Sequence, residues 1–130
     1  MKWDYEFDVV VIGSGNGALT SALCSHDGGA KTLVIEKSTQ FGGTSATSGG
    51  GVWIPNNRYA KAKNVDDSDQ DARNYINSVS PPGKIKDELI ETYLSEGPKM
   101  VDYLHENSQV KYRNLAHYPD YFPDNPGGKA

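Results

Sequence analysis

Cysteine is almost absent from this chain of 130 residues: Cys24 stands alone, so no disulfide forms within it. A solitary thiol suits a reducing compartment, and the expected location is the cytoplasm. His26, His105 and His117 are scattered and share no ligand spacing, which leaves no metal site to expect. No run of lysine or arginine exceeds two residues, and the formal net charge is -4. Nucleic-acid binding needs a concentrated basic face, so that class of function is excluded. No apolar run approaches the roughly 20 residues that cross a bilayer. The opening "MKWDYEFD" is charged and leads straight into a strand, unlike a secretory signal. Core-forming material is also sparse, at 36% hydrophobic residues. The length suits one modest domain.

Glycine is plentiful instead, with 14 residues where the usual share is about 7%. The first cluster interrupts "VVVIGSGNGALTSAL" between two regular segments. Phe7 to Ile12 reads as a buried strand, because Val9, Val10, Val11 and Ile12 are consecutive β-branched residues. From Asn16 to His26, Ala18, Leu19, Ala22 and Leu23 recur at helical spacing, and Gly28 and Gly29 supply a left-handed stop. Thr32 to Ile35 is a second apolar strand and leads into Glu36. Strand, helix and strand within about thirty residues make a βαβ crossover with parallel strands. The expected class is α/β, a Rossmann-like βαβ unit followed by helices.

The glycines then acquire a chemical reading. Gly13 permits a tight turn out of the strand, and Gly15 lets the main chain approach a diphosphate. Ala18 takes the third small position, where helix and strand pack closely. This is G-x-G-x-x-A, a permitted form of the dinucleotide fingerprint, with Gly17 an additional small residue. The helix N-terminus adds unpaired N–H groups and a partial positive charge of roughly half a unit. Glu36 lies near the expected spacing of about 20 residues from the first glycine. A carboxylate there accepts hydrogen bonds from both ribose hydroxyls and disfavours a 2′-phosphate. A lone glycine triplet would be a weak signal, and a ligand-free strand–helix turn is the alternative.

A second cluster, "EKSTQFGGTSATSGGG", follows Glu36 and Lys37. Phe41 to Asn56 shows neither helical nor strand period. Gly42, Gly43, Thr44 and Ser45, then Ser48, Gly49, Gly50 and Gly51, suit close main-chain approach to a second part of a large cofactor. A surface linker is the alternative, but Trp53, Ile54 and Pro55 follow at once. Three helices are expected beyond. One starts near Ser68, whose spacing to Asp71 resembles a capping box, with Ala72, Tyr75, Ile76 and Val79 on one face. "SPPG" ends it, and Ile85, Leu89, Ile90, Tyr93 and Leu94 mark a second. Pro98 opens a third, with Val101 and Leu104 inward. Val110 to Asn114 reads as a short strand, and "HYPDYFPDNPGGKA" as a loop with no element to tie it down.

Together "DVVVIGSGNGALTSAL", "VIEKSTQFGGTSATSGGGVWIPNN" and "YPDYFPDNPGGKA" resemble the 3-ketosteroid Δ1-dehydrogenases. These are FAD-dependent oxidoreductases of the fumarate reductase and succinate dehydrogenase type. The resemblance implies that Gly13, Ser14, Gly15, Asn16, Gly17 and Ala18 hold the FAD diphosphate, with Glu36 and Lys37 at the adenosine ribose. It places Gly42, Gly43, Thr44 and Ser45 along the diphosphate and ribityl chain, and Ser48, Gly49, Gly50 and Gly51 toward the isoalloxazine ring. Tyr121 matches a catalytic-site tyrosine that lines the steroid pocket and supports the base, and Tyr118 an aromatic position near the steroid. Ordinary packing is the alternative for both.

The implied reaction removes a proton from C2 to a tyrosine base while a hydride leaves C1 for flavin N5. A tyrosine with a pKa near 10 needs a helper to act as base. The electron acceptor, a quinone or another, stays open. Rival readings are a Δ4-steroid dehydrogenase, a fumarate-type reductase or a non-catalytic nucleotide-binding module. Residues 1–56 then hold the βαβ unit and cofactor loop, and 57–130 the helical segment and aromatic loop, of an FAD-binding domain without its substrate domain. On length the chain reads as an N-terminal fragment, expected alone neither to retain FAD tightly nor to turn over a steroid.

Overall fold

A computed structural model describes residues 2–130, which divide into two compact units, one ending at Val52 and one running from Trp53 to Ala130. The first contains β1 (Val9–Ile12), α1 (Asn16–Asp27), β2 (Thr32–Ile35) and the short α2 (Gly43–Thr47). The two strands pair in parallel, with Val9 opposite Thr32 and Ile12 opposite Ile35. Parallel neighbours require a crossover, and α1 supplies it by packing on both strands. The α/β class and the βαβ unit read from the sequence are thus present. Gly29, at φ 88, makes the left-handed stop and donates to the His26 carbonyl at 2.8 Å; Gly28 stays at φ -73.

Burial of the first strand differs from expectation. Ile12 is 82% exposed and Val10 51%. Side chains alternate across a strand, and within this unit α1 covers one face of the sheet.

The second unit holds α3 (Arg58–Lys61), α4 (Asp69–Val79) and α5 (Asp87–Asn107). Ser68 caps α4, its Oγ accepting from the Asp71 N–H at 3.0 Å. Ala72 packs with Ile90 and Leu94 to form the core, and Ile76 lies against it. The expected second and third helices are one helix of 21 residues, with Pro98 inside it. A proline there removes one i→i−4 bond. Ile90, Leu94, Gly97, Val101 and Leu104 nevertheless bury a single continuous face, and that packing carries the helix through.

Two short helices, α2 and α3, occur where none was expected. The Asn57 side chain nucleates α3 by accepting from the Tyr59 and Ala60 amides at 2.9 and 3.2 Å. Val110 to Asn114 is not a strand. Its main-chain donors go to side chains, Val110 to Ser108 Oγ at 3.0 Å and Tyr112 to Tyr59 Oη at 3.1 Å. No helix among the described residues is long and apolar enough to cross a membrane.

Removing the cap with Ser68→Ala should lower stability by about 1 kcal/mol. Emptying the core with Leu94→Ala should cost about 2–5 kcal/mol. Urea unfolding of the chain, followed by helical circular dichroism, checks both; equal shifts would contradict the packing described.

Candidate functional site

The site is built where β1 ends. Gly13 donates to the Ile35 carbonyl at 2.7 Å, a last rung beyond the ladder, and turns the chain at φ 93, where a side chain would strain it. The turn buries Ser14 to 3% exposure. Its hydroxyl donates to Glu36 Oε2 at 2.5 Å and accepts from the Gly42 N–H at 2.8 Å. One oxygen therefore joins the ends of both strands to the second glycine cluster. Glu36 Oε1 also accepts from the Ser38 N–H at 3.0 Å. The Ser14 hydroxyl first, then the Ser38 amide, hold the Glu36 carboxyl below the usual carboxylate range. A carboxylate offers about four acceptor positions, so Glu36 keeps capacity for an outside donor.

Helix α1 begins at Gly15, which has no side chain to cap it. Ser45 does that work from 29 residues away, its Oγ accepting from the Asn16 N–H at 3.1 Å. The Gly17 and Ala18 amides have no protein partner among the described residues. They sit at the positive end of the helix dipole, a setting that favours anions. Gly42 caps α2 in the left-handed region, at φ 109, and a Cβ on it would lie 2.6 Å from that of Ala46. A Cβ on Gly43 would touch the Gly15 Cα at 3.4 Å, so the two glycine clusters lie main chain against main chain. Gly15 itself is different. At φ -70 its conformation is open to any residue, and a Cβ would meet only Ser45 Oγ at 3.6 Å. Nothing inside the protein requires glycine there.

The structure thus gathers Gly13 to Ala18, Glu36 and Gly42 to Ser45. Lys37 is exposed, and only its main chain bears on Glu36. Ser48 to Gly51 are exposed too, with Ser48 Oγ donating to the Ser45 carbonyl and accepting from Gly50, both at 3.1 Å. Tyr118 and Tyr121 belong to the second unit and are 67% and 86% exposed. Their loop is tied down, contrary to expectation: Asp120 donates from its main chain to the Lys129 carbonyl at 2.9 Å, and Phe122 to Tyr75 Oη at 3.2 Å. Sequence reasoning passed over Ser38, which acts through its main-chain N–H and so leaves no side-chain signal. It also passed over the capping role of Ser45, which no local pattern marks.

The chain is similar to known proteins over most of its length. A family described as FAD binding domain matches residues 8–128. The chain is 42% identical over 124 residues to the 3-oxosteroid 1-dehydrogenase of Mycolicibacterium smegmatis, covering 95% of this chain and 22% of that protein. It is similar to the crystal structure of 3-ketosteroid delta1-dehydrogenase from Sterolibacterium denitrificans in complex with 1,4-androstadiene-3,17-dione. There the TM-score is 0.86 and the identity 41%, over 95% of this chain and 21% of that one. The 3-ketosteroid-delta4-(5alpha)-dehydrogenase of Rhodococcus jostii RHA1, in complex with 4-androstene-3,17-dione, matches with a TM-score of 0.72 and 29% identity, over 81% of this chain and 22% of that one. The chain spans about a fifth of the length of the curated relatives it matches.

The Ser14 hydrogen bond makes a pH prediction. The folded pKa of Glu36 is depressed, so the contribution of this link is complete above the ordinary carboxylate range and is lost as pH falls through the lowered folded value. Ser14→Ala should move the Glu36 pKa upward in a carbon-detected NMR titration, and an unchanged pKa would refute the cause assigned. In thermal melts without cofactor, Gly42→Ala should destabilise the chain and Gly15→Ala should leave it nearly unchanged.

Proposed function

Because the chain belongs to the FAD-binding domain family, we propose that it forms the cofactor-holding portion of an FAD-dependent dehydrogenase that desaturates a 3-ketosteroid between C1 and C2. The observation that carries the cofactor assignment is Gly15, small for no reason internal to the fold, beside the open amides of Gly17 and Ala18. The helix end takes the diphosphate, and Gly15 leaves room for it. Glu36, already gripped from within by Ser14, turns its remaining lone pairs to the adenosine ribose, with Lys37 beside it. Gly42 to Ser45 follow the diphosphate and ribityl chain, and Ser48 to Gly51 lead toward the ring.

FAD, when bound, supplies the hydride acceptor. The chain's own part is to hold it, and to place Tyr121 and Tyr118 against a steroid. Tyr121 lines the pocket and supports the group that removes the C2 proton. Residues 1–56 and 57–130 both serve the FAD-binding domain, and the substrate domain lies in sequence outside these 130 residues. Desaturation at C1–C2 is favoured over the Δ4 reaction by 41% against 29% identity to the two solved enzymes. The solitary Cys24 supports a cytoplasmic setting.

An enzyme carrying this chain should copurify with flavin and introduce a C1–C2 double bond into a 3-ketosteroid. Gly15→Val should cut its flavin content by about tenfold or more while circular dichroism stays unchanged. Full flavin retention by that variant would refute the diphosphate site. A product desaturated only at C4–C5 would refute the regiochemistry and leave the cofactor site standing.

A further inference from the structure

We propose that Asp120 is a positioning residue, clamping the loop that carries Tyr118 and Tyr121 to Trp53 on one side and to Lys129 on the other. The proposal rests on the reading of Tyr121 as a steroid-pocket residue. The loop has no helix or strand of its own, and it exposes three aromatic rings: Tyr118, Tyr121 at 86% and Phe122. Such a segment would be mobile unless fixed by particular contacts. Asp120 provides them. Its N–H donates to the Lys129 carbonyl at 2.9 Å, and its Oδ2 accepts from the Lys129 N–H at 2.9 Å, closing a ring of two hydrogen bonds. Its Oδ1 accepts from Trp53 Nε1 at 2.8 Å.

Each anchor is itself fixed. The Trp53 ring stacks on Tyr93 with centroids 6.3 Å apart, and lies tilted against Tyr75 at 5.6 Å. The Tyr93 hydroxyl donates to the Trp53 carbonyl. Lys129 Nζ pairs with Asp71 Oδ2 at 3.0 Å, in the first turn of α4. Gly127, at φ 80, presses main chain against the Asp71 carbonyl with no room for a Cβ. Phe122 N–H donates to the hydroxyl of buried Tyr75 at 3.2 Å. Tyr121 is therefore pinned at the residue before it and at the residue after it, while its own ring faces outward. Charge on the Asp120 carboxylate strengthens both side-chain bonds. Displacement of a reacting group by about 1 Å costs on the order of 100-fold in rate, which is the scale such a clamp can protect.

The test uses the holoenzyme that carries this chain. Asp120→Ala should lower kcat about tenfold to 100-fold with flavin content unchanged and KM altered far less. Amide exchange at Phe122 and Lys129, and exchange of the Trp53 indole proton, should accelerate by about tenfold or more. Trp53→Phe keeps a ring on Tyr93 and removes only the indole donor, so it should shift kcat the same way by less; it also serves if Asp120→Ala folds poorly. In a Tyr121→Phe background the kcat effect of Asp120→Ala should disappear. Its full persistence there, or faster exchange with unchanged kcat, would overturn the proposal. If Tyr121→Phe alone left kcat unchanged, the pocket reading would fall and with it the catalytic purpose of the clamp. Unchanged exchange in Asp120→Ala would instead overturn the clamp itself and leave that reading intact.

Discussion

At the top of the parallel strand pair, one buried hydroxyl holds three segments in place. Ser14 uses its single donor on Glu36 and a lone pair on the Gly42 amide, so the acid, the turn and the second glycine cluster share one oxygen. The bond to the ionised carboxylate belongs to the charge-assisted, short class. Fixed in this way, Glu36 does not need to be ordered by a ligand, and Gly43 is brought against Gly15. Ser45 then falls within reach of the Asn16 amide and caps α1. The helix end, the acid and the glycine loop form one surface because a serine occupies the second position of the turn. Preorganisation of this kind reduces the ordering cost that binding must overcome.

The two units are stabilised differently. In the first, no residue of α1 is buried, and the strands leave Val10, Ile12 and Ile35 exposed on the sheet. A parallel sheet is ordinarily covered on both faces, and a two-stranded sheet has little stability of its own. The loops of this unit are accordingly held by polar contacts among Ser14, Glu36, Gly42 and Ser45. The second unit has a true apolar core, with Ala72, Ile90, Leu94, Val101 and Leu104 all at or below 5% exposure. Its loops lean on that core: Tyr75, on the buried face of α4, accepts the Phe122 amide, and the Trp53 indole rests on Tyr75 and Tyr93. A polar network shapes the surface between the glycine clusters, whereas apolar packing fixes the aromatic loop.

What could be read from the sequence divides along the same lines. The βαβ unit was legible because four β-branched residues, a glycine turn and a helical repeat are local signals. Ser68 was legible for the same reason, since a cap acts three residues away. Pro98 misled because one residue was weighed against its neighbours singly. Ile90, Leu94, Gly97, Val101 and Leu104 continue at alternating spacings of four and three straight through it, and the face outweighs the missing hydrogen bond. Val110 to Asn114 looked strand-like but pairs with no strand among the described residues, and the Val110 and Tyr112 amides go to Ser108 Oγ and Tyr59 Oη. The links from Ser45 to Asn16 and from Asp120 to Trp53 span 29 and 67 residues. Hydrogen bonds across such separations leave no period in the chain, so only the folded arrangement reveals them.

The same test separates residues that serve the fold from residues that serve something outside it. Gly42 is explained from within, because its φ and the nearby Ala46 Cβ exclude a side chain. Gly15 is not, because its conformation and its surroundings would both accept one. There the fold leaves room for a side chain and does not use it. Tyr121 is the converse: a large ring held outward, with both neighbours pinned by hydrogen bonds that do nothing to bury it.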